Sequence, residues 1–182
     1  MEFVKEWLLS GFDTPKAVAA QIFGVIPIFI SIFLYAQNTR KKIVFAKASM
    51  DICLAIHLIL LEAYTGALLN IVVTIRNILF LKKDKMGKWK NPILVAFGIF
   101  VVLCAIPDFA GIKSLFPVTG SLFALIGFWQ EDVKKLRIYN LIGTSLWLVY
   151  SIWEVSVSSV VVGVFSIISI FAGFIRSAKN NG

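Results

Sequence analysis

Apolar residues run along this chain in stretches of sixteen to twenty-one, at about 17–37, 44–61, 64–81, 92–107, 114–129, 138–153 and 155–175, separated by short polar or basic segments. An unpaired backbone polar group in hydrocarbon costs several kcal/mol, so such runs form either helices or the strands of a closed barrel. Length decides between them. A helix needs roughly 20 apolar residues to cross a core about 30 Å thick, whereas barrel strands are about half as long and alternate polar with apolar positions. The pattern predicts an all-α membrane protein of seven transmembrane helices.

Composition agrees with that class. Hydrophobic residues make up 59% of the 182 and charged residues 15%, with a mean hydropathy of +0.87, a balance unusual for a soluble domain. Several spans are short, and charge tests their number, because cationic side chains resist translocation and gather in short cytoplasmic loops. Seven spans place 14 cations on one side: Arg40, Lys41, Lys42, Lys47, Lys82, Lys83, Lys85, Lys88, Lys90, Lys134, Lys135, Arg137, Arg176 and Lys179. Only 3, Lys5, Lys16 and Lys113, fall on the other, and Arg76 lies inside a helix. Removing the fourth span changes the split to 10 against 7. Seven spans are therefore preferred, with the N-terminus outside and the C-terminus cytoplasmic. Glu2, Glu6, Asp13, Glu62, Asp108 and Glu154 fall on the outer side.

The formal net charge of +8 then belongs largely to the inner face, which makes a lipid bilayer with anionic headgroups its expected partner. A nucleic-acid footprint is disfavoured, since the lysines are juxtamembrane and lack interleaved stacking aromatics. Residues 1–16 read as an interfacial N-terminal segment: acidic Glu2, Glu6 and Asp13 stand where a targeting signal has a basic region, and Trp7 and Phe12 suit the headgroup zone. Cys53 and Cys104 lie inside apolar runs without disulfide or metal spacing, and read as small buried hydrophobes.

A shift of 93 positions aligns Tyr35-Ala36-Gln37-Asn38-Thr39-Arg40-Lys41-Lys42-Ile43 with Phe128-Trp129-Gln130-Glu131-Asp132-Val133-Lys134-Lys135-Leu136. It also sets His57 against Tyr150, and Gly24 and Pro27 against Pro117 and Gly120. An offset of four spans returns the chain to its starting side, so the halves are parallel repeats of three helices joined by a linker helix, the arrangement of the SWEET transporters. The expected units are a first bundle at 17–81, a linker helix at 92–107 and a second bundle at 114–176.

The stretch from Asp51 to Ala67, with Ala55-Ile56-His57 and Ala63-Tyr64-Thr65 in it, resembles a region of the YgjV-type bacterial inner-membrane proteins. Ile75-Arg76-Asn77-Ile78 resembles a later segment of the same family, and Gln37 with Lys41 and Lys42 resembles its basic loop. Glu62 departs from that family, which often has a small residue there. The resemblance implies a multi-pass protein of the bacterial inner (cytoplasmic) membrane. It also implies kinship with the wider group of SWEET sugar transporters, PQ-loop proteins, nicotinamide-riboside carriers and the KDEL cargo receptor. It implies no substrate.

Ionisable residues at membrane depth are costly and need partners. Asp51 and Arg76 lie toward the cytoplasmic ends of the second and third spans, so they are expected to form a buried ion pair or share a hydrogen-bond network. His57, the only histidine, is either a proton-exchanging group or a neutral ring bonded to a neighbouring helix. Asn70, Thr74 and Asn77 recur at helical spacing, as do Asn140 and Thr144, with Trp147 beyond them. Asn77, His57, Asn140, Tyr150 and Trp147 are the candidate solute-lining residues. Pro27 and Pro117 occupy the first helix of each repeat, where a lost backbone donor favours a bend or hinge.

Enzyme signatures are absent: there is no HExxH, GxSxG, phosphate-binding loop or paired zinc spacing. No catalytic residue, metal or cofactor is expected. Two functions remain open on the same scaffold. One is a carrier of a small solute, working by alternating access of two bundles. The other is a non-transporting receptor, sensor or assembly partner, with a second copy of the chain among the candidate partners.

Overall fold

The computed structural model describes residues 14–60, 64–104, 106, 112–153 and 157–180. Most of the expected interfacial segment, with Trp7 and Phe12, lies outside them, as do Glu62, Asp108 and Glu154. Among the described residues seven α-helices follow in order: α1 (Pro15–Leu34), α2 (Arg40–Leu60), α3 (Tyr64–Leu81), α4 (Lys90–Cys104), α5 (Ile112–Trp129), α6 (Val133–Trp153) and α7 (Val157–Asn180). A 3₁₀ segment, Lys83–Trp89, precedes α4.

Local chemistry sets several boundaries. Proline opens α1, where its missing N–H has no helical partner to lose. The Thr39 hydroxyl accepts from the Lys42 amide ahead of α2, and the Asp132 carboxylate accepts from the Lys134 amide at 2.8 Å ahead of α6. Gly87, at φ 53°, turns the 3₁₀ segment through a left-handed conformation just before α4. The second helix begins four residues before the expected span, so Arg40, Lys41 and Lys42 form its first turn.

Each helix packs on its neighbours in sequence within the sets α1–α2–α3 and α5–α6–α7. The sets are joined by close packing of α1 against α7 and by a slight contact of α3 with α5. The remaining helix, α4, packs on α5 and on its own 3₁₀ lead-in and has no buried residue.

Apolar side chains line the outside, and the interior combines an apolar core around Leu34, Ile43, Phe80, Phe128, Leu136 and Ile170 with a set of buried polar residues. Ile22, Phe29, Phe33, Ile99, Ile152 and Ile175 are among the exposed hydrophobics, while Ser31, Asp51, Arg76, Asn77, Arg137, Asn140 and Ser169 are buried. So many exposed apolar side chains suit a hydrocarbon surround. Two stretches among the described residues are long and apolar enough by themselves to cross a membrane, Lys83–Cys104 and Val160–Lys179. The hydropathy of α2 and α6 is lowered by their basic first turns, Arg40-Lys41-Lys42 and Lys134-Lys135 with Arg137.

Candidate functional site

The helices α1, α3, α5 and α7 all finish at one end of the molecule, where the basic loops lie. A helix C-terminus presents unpaired carbonyls and a partial negative charge. Here those carbonyls receive cations from α2, from α6 and from the 3₁₀ segment ahead of α4. Arg40, at the start of α2, donates through Nη2 to Phe80 O of α3 at 2.6 Å and to Phe128 O of α5 at 2.9 Å. Arg137 of α6 donates Nε to Tyr35 O at 2.9 Å, Nη2 to Gln37 O at 2.8 Å and Nη1 to Ser177 Oγ of α7 at 2.6 Å. Lys83 donates to Trp129 O at 2.7 Å and pairs with Glu131 at 2.9 Å. The hydrogen bond from Lys83 holds the Glu131 carboxyl below its ordinary range.

Just above this end lies a buried polar cluster. The Tyr35 hydroxyl donates to Asn140 Oδ1 at 2.9 Å, while the backbone amides of Tyr35 and Ala36 donate to Ser169 Oγ on α7. Asn140 completes itself by donating to Leu136 O at 2.8 Å. Arg76 donates Nε at 3.2 Å and Nη2 at 2.9 Å to the same atom, Asn77 Oδ1. Asp51 is held by Lys47, one turn earlier on its own helix. Tyr35, Asp51 and Arg76 all lie within one another's electrostatic reach. Three buried side-chain atoms of this region have no hydrogen-bond partner: Asp51 Oδ2, Thr74 Oγ1 and Asn77 Nδ2.

Asp51 and Arg76 were expected to form an ion pair or share a hydrogen-bond network; the ion-pair contact of Asp51 is Lys47, while its charge reaches Arg76. Depth accounts for the difference. Asp51 stands eleven residues into α2, about 16 Å along it at 1.5 Å per residue, and Arg76 only five residues before α3 ends. Lys47 stands one turn before Asp51 on the same helix, within i,i+4 reach.

The other candidates separate into three places. Asn77 and Asn140 belong to the cluster, each engaged by a neighbouring side chain. Trp147 and Tyr150 stand further along α6, ring against ring at 5.8 Å, with the indole N–H on Ser121 Oγ at 3.2 Å; Trp147 is exposed and Tyr150 half-buried. His57 faces α1, where Nδ1 lies 2.6 Å from Ala20 O and the ring sits against Gly24. Pro27 and Pro117 both lie inside continuous helices.

Tyr35, Arg40 and Arg137 were not singled out from the sequence. The two arginines counted as loop charges alongside exposed Lys41, Lys42, Lys134 and Lys135. Their residue type was the available signal, because a planar guanidinium can fork to several carbonyls where an ammonium cannot.

The chain matches the Imp-YgjV family model, described as bacterial inner membrane protein, over residues 18–181, and it belongs to that family. No curated protein and no solved structure is significantly similar to it.

Proposed function

We propose that this bacterial inner membrane protein is a carrier of a small solute, built from two parallel three-helix bundles, α1–α3 and α5–α7, joined by α4. The reading rests most on the crossing between the sets: the first helix of each meets the third helix of the other, α1 packing closely on α7 and α3 touching α5 lightly. A pseudo-two-fold axis along the membrane normal requires that pairing, and parallel-repeat transporters have such an axis.

The 93-residue offset supports the same division. Under it the bounds of α6, Val133–Trp153, fall on those of α2, Arg40–Leu60, and the start of α7 falls on the start of α3. Gln37 Nε2 donates to Phe33 O, and at the same offset Gln130 Nε2 donates to Ile126 O. Arg40 and Arg137 are not aligned by the offset, yet each reaches the carbonyl at the matching position, Phe128 for one and Tyr35 for the other.

On this reading the solute sits at the interface between the bundles, above the arginine-bonded end. Arg40 and Arg137 tie that end shut, and exchange to the opposite state breaks their carbonyl contacts. Pro27 and Pro117 are the points at which α1 and α5 bend. Asn77 and Arg76 offer the solute contacts, Asn140 and Tyr35 position the wall, and Trp147 with Tyr150 lies toward the far opening. No catalytic step is assigned.

Uptake into proteoliposomes tests the carrier directly, with a panel of radiolabelled sugars, nucleosides, vitamins and organic acids. Saturable, protein-dependent accumulation of one class is the expected result. Absence of uptake across the panel overturns the carrier and leaves the receptor, sensor or assembly role.

A further inference from the structure

Arg76 is 4% exposed, and both of its bonded nitrogens go to one neutral oxygen, Asn77 Oδ1. Among the described residues no carboxylate is in ion-pair contact with it, because Asp51, the acid whose charge reaches it, is held by Lys47. Lys47, Asp51 and Arg76 together leave one positive charge in excess. A buried guanidinium without a counter-anion is costly at membrane depth, and such a group by default marks a ligand path.

The neighbouring atoms point the same way. By giving Oδ1 to Arg76, Asn77 leaves its amide nitrogen Nδ2 as a buried donor with no partner, and its side chain is fully buried. Thr74, one turn earlier on α3, has a buried hydroxyl in the same condition. A delocalised cation flanked by an amide donor and a hydroxyl is the complement of an oxyanion, which accepts from all three. A neutral solute leaves the charge unmatched, and a cationic one is repelled.

We propose that Arg76, with Asn77 and Thr74 beside it, receives a carboxylate-sized anionic group on the solute. The proposal rests on the carrier reading and names its substrate class. Asp51 is the internal competitor. Side chains lean toward the N-terminus of their own helix, and α2 and α3 run in opposite directions, so Asp51 and Arg76 lean toward each other. The negative charge of Asp51 reaches Arg76 and so opposes an incoming anion there.

The test uses the purified full chain with radiolabelled acetate, lactate and benzoate, each against its uncharged amide, in equilibrium dialysis. At least one carboxylate is expected to bind about tenfold or more tightly than its amide, and R76Q to lose about tenfold. D51N removes the competitor and is expected to tighten carboxylate binding several-fold, a gain that a merely damaged fold does not produce. T74V weakens it by a few-fold.

Equal binding of acid and amide, no binding of any of the three acids, or unchanged binding in R76Q overturns the anion site, as does weaker binding in D51N. Uptake of a neutral solute without carboxylate binding leaves the carrier standing and removes the anion class. Carboxylate binding without uptake leaves the anion site and removes the carrier.

Discussion

Tyr35 is the residue on which several contacts converge, its hydroxyl on Asn140, its amide on Ser169 and its carbonyl on Arg137. Phenylalanine there keeps the ring and both backbone contacts but leaves Asn140 Oδ1 buried without a donor. An unmet buried acceptor costs about 1–3 kcal/mol, so Y35F is expected to lower stability by about that amount in denaturant unfolding in mild detergent, with N140A partly relieving it. Glu131 gives a pH-dependent counterpart. Its carboxyl is held below the ordinary value of 4.5 by the hydrogen bond from Lys83. A depressed carboxyl contributes stability above its unfolded value and loses it as pH falls through the folded one. Thermal stability of the wild type therefore declines below about pH 4.5 through this group, and E131Q flattens that acid limb; an acid limb unchanged in E131Q contradicts the assignment. At this scale the sequence was only partly legible. The cost of intramembrane charge pointed to Asp51 and Arg76, and both are buried. Asp51 takes Lys47 because the two stand one turn apart on α2, a local pairing that matching depths between spans does not reveal.

At the scale of helices, the two arginine contacts and one glycine contact make separable demands. Arg137 donates to three acceptors on two other chain segments, and a hydrogen bond to a charged group contributes about 1.5–3 kcal/mol net. R137A is expected to lose about 2–3 kcal/mol in the same unfolding measurement. R137K recovers little of it, since an ammonium cannot span Tyr35 O, Gln37 O and Ser177 together. If R137K matches wild type, a fixed point charge suffices and the forked geometry is irrelevant. Gly143 and Gly120 bring α6 and α5 into backbone contact: a Cβ on Gly143 meets Gly120 O at 2.7 Å, and one on Gly120 meets Gly143 O at 2.8 Å. Small residues permit such close approach between membrane helices. G143A has only backbone to push against and is expected to cost about 1–3 kcal/mol. Helix positions were readable because apolar runs and polar breaks follow from what hydrocarbon tolerates. The glycine contact was not, because its signal is a pair of positions 23 residues apart in sequence that become neighbours only after two helices fold back on each other.

For the molecule as a whole, the open question is which way it faces, and the charge distribution makes a specific claim. Lys and Arg resist translocation, and they gather at the end where α1, α3, α5 and α7 finish. The structure adds a second reason for those cations to stay together, because Arg40, Lys83 and Arg137 are bonded to helix C-terminal carbonyls at that end. Part of the positive charge at this end is therefore bonded to carbonyls, whereas Lys41, Lys42, Lys134 and Lys135 are exposed, where the proposed orientation sets them against anionic headgroups. These two populations can be separated by mutation. A fluorescent protein fused after Gly182 is expected to fold in the cytoplasm and a phosphatase at the same point to stay inactive. An active phosphatase there reverses the assigned topology. Neutralising the four exposed lysines to glutamine is expected to weaken that preference, giving a mixed reporter signal, while leaving the unfolding midpoint of correctly inserted protein near wild type. R40Q with R137Q should do the opposite, lowering stability with little change in reporter orientation, since 12 of the 14 basic-side cations remain. If the two sets of substitutions behave alike, orientation and closure are not carried by different charges, and the division between exposed lysines and buried arginines loses its functional meaning.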